Sequence, residues 1–226
     1  MSDLKYVNKV LKKVKERNNE VVYSRVGTKE DLVVRSMSDA SYLKTKESIG
    51  GSLVMLANKN NNKTVPLYWK SKRITKISTS TKDAETHALF KNVGDAAFVA
   101  SNVETLLFGD VKNRIKVESY IDSKPLLESI ASTRIIENKF LVSEVSALKT
   151  LLEDGVVGDF TWVRTEDQLA DVLTKDMAEP YMFRKVCLKN NGDFMKFKGN
   201  PKAILRVHDQ GTDEESKEIK LKNLRS

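Results

Sequence analysis

The sequence has one cysteine, Cys187, and two histidines, His87 and His208, among its 226 residues. A single thiol excludes an intramolecular disulfide framework and any cysteine-based zinc site, and it fits a reducing compartment. Two imidazoles leave little material for nucleophilic catalysis, which needs a base beside its Ser or Cys. His87 falls in a segment of helical pattern and no G-x-S-x-G turn occurs, so a hydrolase triad is unsupported. Neither G-x-x-x-x-G-K-[ST] nor G-x-G-x-x-G occurs, which removes the usual loops for nucleotide phosphates and dinucleotides. Apolar runs reach only four to five residues, too short for a membrane span. The Lys-rich start lacks the continuous apolar block of a signal peptide.

What is present is basic and globular. Lys and Arg outnumber Asp and Glu by 39 to 31, a net charge of +8 with pI near 9.3. That excess suits a polyanionic partner, because cations near phosphates release counterions and steer association. Proteins that bind no nucleic acid often carry a similar excess. With 40% apolar and 31% charged residues the chain is too apolar for full disorder. A chain of this length buries roughly 70% of its extended surface without help from a disulfide or metal. The expectation is a soluble, intracellular protein with no membrane partner.

Along the chain, Leu4, Val7, Leu11 and Val14 recur every three or four residues among lysines, which predicts a short basic amphipathic helix within 1–20. Val21–Tyr23 reads as a brief extended piece and Gly27–Asp31 as a turn. Strands are expected at Leu32–Asp39, at Ser48–Ala57, entered through Gly50-Gly51, and, after a polar turn, at Val65–Ser71. A long helix follows over Thr81–Leu107, then a strand at Ile115–Ile121, a short helix at Pro125–Ile130, a helix at Asn138–Glu153 and a strand near Phe160–Val163. Residues 165–190 read as a helical finish, with Thr165 and Gln168 in a capping-box pattern. The stretch 191–226 is a basic, mixed-charge tail, polar enough to be disordered or a linker. Early antiparallel strands followed by helix–strand alternation make an α/β domain with a mixed sheet.

Acidic residues stand where such a sheet gathers functional groups. Asp39 and Asp122 end strands, Glu85 lies in the first turns of the long helix, and Asp171 follows Thr165. Ligand sites in these sheets favour the carboxyl ends of strands. If the first and fourth strands are adjacent, Asp39 and Asp122 come within a few ångströms. Two unpaired carboxylates that close raise each other's pKa, and a hard divalent cation removes the repulsion. Each residue also has a plain structural reading. Asp39 and Asp122 suit turn starts, Glu85 complements a helix dipole, and Asp171 suits an ion pair with Lys175 four residues on.

The strings around these acids carry a family resemblance. Ser38-Asp39-Ala40-Ser41-Tyr42 resembles the S/T-D-A-x-W/Y that opens the ribonuclease H domain of copia-type (Pseudoviridae) LTR retrotransposon polyproteins. Ser48-Ile49-Gly50-Gly51 is similar to that family's S-x-x-G, and Trp69-Lys70-Ser71-Lys72 to its W-K-S-K. STSTKDAETHAL (78–89) resembles S-S-T-x-A-E-x-x-A-L, and Tyr120-Ile121-Asp122-Ser123-Lys124 resembles the fourth-strand x-x-D-[NS]-[QK]. Residues Thr165 to Lys175, TEDQLADVLTK, match the family's T-E-D-Q-L-A-D-x-L-T-K nearly word for word. The resemblance covers roughly residues 30–190, and residues 3–25 resemble the segment joining reverse transcriptase to ribonuclease H in these polyproteins. No Y-x-D-D string of a reverse transcriptase occurs. Departures include Phe140 where many members have His, and Asp176 where a Pro commonly follows L-T-K.

The resemblance implies a ribonuclease H-like fold, a five-stranded mixed sheet (three antiparallel strands, then parallel ones) flanked by helices, over residues 31–190. It implies hydrolysis of the RNA strand of an RNA/DNA hybrid with two Mg²⁺ ions, Mn²⁺ being an alternative. On that reading Asp39 bridges both ions, Glu85 and Asp122 complete one site, and Asp171 the other. Ser80, Lys70, Lys72 and Arg73 are the expected phosphate contacts. A reverse transcriptase domain of the same polyprotein is the expected partner, with residues 1–30 as the connection. The expected location is the cytoplasm, within a virus-like particle if the element is active. The alternative is a catalytically inactive nucleic-acid-binding or structural module, a domesticated remnant or a connection domain. A DDE transposase or integrase ranks last, because those sites usually place a late Glu on a final helix.

Overall fold

A computed structural model describes residues 25–175 apart from 43–47, 62, 77 and 133–137, the backbone of 203–208 and 218–223, and isolated positions among 4–23. Of the expected N-terminal helix, Leu4, Lys5, Val7, Asn8, Lys12 and Lys15 are helical; most of Val21–Tyr23, like residues 176–190 of the expected helical finish, lies outside the described residues. The turn at Gly27–Asp31 contains a short 3-10 helix, Lys29–Asp31.

Three strands come first: β1 (Leu32–Ser41), β2 (Ile49–Asn58) and β3 (Thr64–Arg73). They pair antiparallel, Asp39 facing Gly51 and Ser52 facing Lys70. The β2–β3 register slips between Val54 and Met55, opposite Tyr68 and Pro66. Proline lacks the ladder donor and belongs on an edge strand, and β3 is the edge of the sheet. Helix α1 (Thr81–Phe108) follows, begun by Ser80, whose side chain accepts from the Asp83 N–H, and ended by Gly109 at φ 81°. That left-handed conformation suits glycine and closes the last turn onto the Thr105 carbonyl. Strand β4 (Val117–Ile121), helices α2 (Lys124–Ala131) and α3 (Lys139–Glu153), and strand β5 (Val157–Trp162) complete the core. Both β4 and β5 run parallel in the sheet, so the order β3-β2-β1-β4-β5 is the expected three antiparallel strands followed by parallel ones.

Two expectations are corrected. The tail read as disordered or a linker supplies β6 (Ala203–His208) and β7 (Glu218–Asn223). They form an antiparallel pair, and β6 adds antiparallel to β5, so the sheet has seven strands. A free β5 edge is a strong backbone template, which polarity counting does not register. The helix expected from Thr165 is instead two short 3-10 turns, Thr165–Asp167 and Leu169–Leu173. Among the described residues Thr165 makes no capping bond; Gln168 caps the second turn, its side chain accepting from the Ala170 N–H.

The core has two faces because β1 is covered on both. Val34, Val54, Leu89, Val93, Val117, Leu127, Leu148 and Phe160 pack on the side of the long helices. On the other side Met37, Leu53, Met55 and Tyr120 pack against Leu169 and Ala170. Strand alternation therefore sends Met37 and Asp39 to the face covered by the Leu169–Leu173 turn, and Ala40 to α1, against Ala84 and Ala88. Among the described residues no helix is long and apolar enough to cross a membrane.

Candidate active site

Strand register brings the first two carboxylates together. β1 and β4 are parallel neighbours with Met37 beside Tyr120. Two residues further on, Asp39 and Asp122 therefore stand side by side at the carboxyl ends of strands about 4.8 Å apart. The Trp162 Nε1–H donates to the Asp122 carbonyl at 2.8 Å, and the Val163 N–H to the Ile121 carbonyl at 2.8 Å, which fixes the end of β4 against β5.

Asp171 arrives on the 3-10 turn, and five other residues of the motif hold that turn or its charge in place. Gln168 is buried and donates from Nε2 to the Ser38 carbonyl at 3.1 Å, tying the turn to β1 beside Asp39. Leu169 and Ala170 are buried in the second core cluster. Thr174 Oγ1 donates to Asp39 Oδ2. Lys175 Nζ lies 2.9 Å from Asp171 Oδ2 and 3.5 Å from Asp39 Oδ2. Gly51 makes the approach possible: a Cβ there would lie 2.9 Å from Leu173 Cβ, 3.0 Å from Thr174 Cγ2 and 3.1 Å from the Ala170 carbonyl.

Asp39, Asp122 and Asp171 each offer a carboxylate oxygen, and these oxygens all lie within 4.8 Å of one another. Glu85, half-buried at the start of α1, stands outside that tight group of three but within its field. Burial raises its carboxyl above the ordinary value, against a hydrogen bond with Ser123, and the charges of Asp122 and Asp39 add to the rise. Burial and then the Asp39 charge likewise raise Asp122. Asp171 is raised chiefly by burial, although its bond with Lys175 opposes this. Burial would lower the Lys175 ammonium, but its bond to Asp171 and the charges of Asp39 and Asp171 outweigh that and raise it.

These side chains fit a hard divalent cation. All the donors are carboxylate oxygens, the preference of Mg²⁺. Asp171 Oδ1 is buried with no hydrogen-bond partner among the described residues, an orphan acceptor that a cation would satisfy.

The expected phosphate contacts lie apart from this cluster. Ser80 is committed as the α1 cap. Lys70 pairs with Asp95 at 4.0 Å, and Lys70, Lys72 and Arg73 line a pocket beside α1. Trp69 is 48% exposed on edge strand β3. Sequence reading named Lys175 only as a helix-type partner of Asp171, and that ion pair is present; its second contact, to Asp39, is tertiary. Ser123 and Gln168 were read only as parts of motifs, and nothing local marked them as supports for Glu85 and β1.

No family model and no curated protein sequence matches this chain. Among solved structures it is similar to the N-terminal RNase H domain of Rv2228c from Mycobacterium tuberculosis, at 16% identity over 63% of this chain and 91% of that one, with a TM-score of 0.48. It is also similar to RNase H1 from Halobacterium salinarum (15% identity, 62% and 92% covered, TM-score 0.47). A third is LC11-RNase H1 in complex with an RNA/DNA hybrid (17% identity, 63% and 92% covered, TM-score 0.43).

Proposed function

We propose that this protein is a metal-dependent endoribonuclease that hydrolyses the RNA strand of RNA/DNA hybrids, belonging to or derived from a copia-type retrotransposon Pol. The observation that carries the reading is the convergence of Asp39, Asp122 and Asp171 from three separate elements, with Glu85 in their field. In this reading Asp39, Asp122 and Asp171, with Glu85 beside them, would hold the two ions. Two bound Mg²⁺ (or Mn²⁺) ions supply an activated water and charge for the leaving oxygen. The chain's own groups hold and orient: the β1–β4 register sets two carboxylates, Gln168 docks the turn that brings the third, and Ser123 steadies Glu85. Lys70, Lys72, Arg73 and Ser80 are the proposed contacts to the hybrid, read by its shape and 2′-hydroxyls. The proposed partner is a reverse transcriptase domain of the same polyprotein, residues 1–30 being the connection, and the proposed setting is a cytoplasmic virus-like particle.

A second reading, a non-catalytic hybrid-binding module, is favoured by one observation: Lys175 already compensates Asp39 and Asp171. Cleavage of a labelled hybrid in Mg²⁺, Mn²⁺ or EDTA separates the two. Metal-dependent cutting of the RNA strand, absent in Asp122→Asn, is the expected result. Hybrid binding at low salt with no cutting in either metal establishes the module instead.

A further inference from the structure

The β1–β4 register ends at Met37 beside Tyr120, so Asp39 and Asp122 stand past its last paired rung. Their mutual repulsion acts on strand ends that no ladder bond between β1 and β4 holds together. Gln168 spans this gap. It is 4% exposed and sits between the two 3-10 turns. Its amide carries two N–H donors and one carbonyl acceptor. Nε2 donates to the Ser38 carbonyl at 3.1 Å, next to Asp39. Oε1 accepts from the Ala170 N–H at 3.3 Å, next to Asp171. The same side chain bonds to the Asp122 carboxyl, opposing the rise that burial and the Asp39 charge impose there. One planar group thus reaches the neighbour of Asp39, the neighbour of Asp171, and Asp122 itself. Those are the three acids whose oxygens lie within 4.8 Å of one another.

The chemistry of these partners selects a primary amide. Turned over, the amide would set its oxygen against the Ser38 carbonyl and the Asp122 carboxylate, and its N–H against the Ala170 N–H, so the partners fix one orientation. A Glu would bring charge against two acceptors, and an Asn, one methylene shorter, falls short of them. Burial makes each of the bonds costly to lose. We infer that Gln168 is a positioning residue for the metal site, a side-chain rung across the ends of β1 and β4 that also docks the turn carrying Asp171. The turn then cannot seat without orienting Asp122, and the separation of three ligands is set by one group. Lys175 supplies charge to the same cluster; Gln168 supplies geometry. The positioning of ions rests on the proposed function, whereas the three bonds do not.

The test uses the full chain without hybrid, titrated with Mg²⁺ and with Mn²⁺ well below the melt. Gln168→Met keeps the length of the side chain and removes all three bonds. Met55→Ala, in the same core cluster, opens a hole and leaves those bonds in place. The expected result is an ion Kd raised about 10–100-fold in Gln168→Met, as for groups that orient metal ligands, with the wild-type value in Met55→Ala. Cleavage by Gln168→Met should fall in kcat and recover as Mg²⁺ is raised, with KM for the hybrid unchanged. A second measurement needs no variant at Gln168. Gln168 and Gln210 are the two glutamines, so Gln210→Ala assigns the Gln168 side-chain amide in an NMR spectrum. Those protons should exchange slowly and shift on Mg²⁺ titration; fast exchange overturns the inference even if Gln168→Met does not fold. Equal ion affinity in Gln168→Met and wild type, or parallel losses in both variants, overturns it too. Ion binding that depends on Gln168 while the hybrid is never cut sinks the nuclease reading and leaves the positioning role. A wild type that binds neither ion overturns both.

Discussion

Single residues set the charge balance at the acidic cluster. Burial and the Asp39 charge raise the Asp122 carboxyl, so the folded, metal-free protein holds that proton more tightly than the unfolded chain does. The sign follows: this group favours folding least at high pH, and its stability penalty grows as pH climbs from the ordinary carboxylate range through the raised value. In EDTA, thermal melts of Asp122→Asn and wild type are therefore expected to coincide near pH 3.5 and to separate as pH rises. At neutral pH the variant should be about 1 kcal/mol more stable, while hybrid cleavage falls about 100-fold or more. Melts in which the wild type stays the more stable at pH 7 would contradict this account. Lys175→Met should act the other way on stability. Removing an ammonium 2.9 Å from Asp171 and 3.5 Å from Asp39 leaves two crowded carboxylates. The side chain is 42% exposed, so the metal-free protein should lose only about 1 kcal/mol, less at high salt. Calorimetric titration with Mg²⁺ should show tighter binding to Lys175→Met than to wild type; equal or weaker binding would mean that Lys175 does not compete for the site.

At the scale of elements, two local devices position the site. Gly51→Ala places a methyl against Leu173, Thr174 and the Ala170 carbonyl, two of those contacts with side chains of the turn that carries Asp171. Backbone cannot yield there without moving the turn, so the variant is expected to lose about 1–3 kcal/mol. Its cleavage should fall by more than its melting temperature explains, read as activity well below the melt. The start of α1 is the second device. Asp83 is buried and accepts from the Thr79 N–H at 2.9 Å, from the Thr79 hydroxyl, and from Asn138 Nδ2 at 3.0 Å, joining α1 to the approach of α3. Although burial would raise its pKa, the bonds from Thr79 and Ser80 outweigh that and lower it. Asp83→Ala should cost about 1–2 kcal/mol in chemical denaturation above the ordinary carboxylate pKa. That difference should shrink as pH falls through the lowered value, the opposite sign to Asp122. Much of this was legible. Strand and helix bounds came within a few residues because period-2 and period-3.6 patterns reflect the faces that pack. The turn carrying Asp171 was not, because its shape follows from Gln168 reaching the Ser38 carbonyl across 130 positions of sequence.

For the molecule as a whole, the net charge of +8 predicts that binding of the proposed hybrid weakens with salt. Log affinity against log salt, measured in EDTA, should be linear with a negative slope, and a flat line would remove nucleic acid as the partner. The sequence by itself determined the composition limits and the order of the core strands and helices, and it singled out four candidate acids, because each is written in adjacent residues or in short motifs. Tertiary structure alone decided which of those acids meet. The parallel register of β1 and β4 put Asp39 beside Asp122, Gly51 admitted the turn with Asp171, and Glu85 was left at the margin with Ser123. It also decided that the polar tail pairs with β5, and that His87 and Glu144, 57 residues apart, meet in a hydrogen bond. Pairing across such separations depends on backbone edges and on shapes assembled from several elements, and no window of sequence contains either.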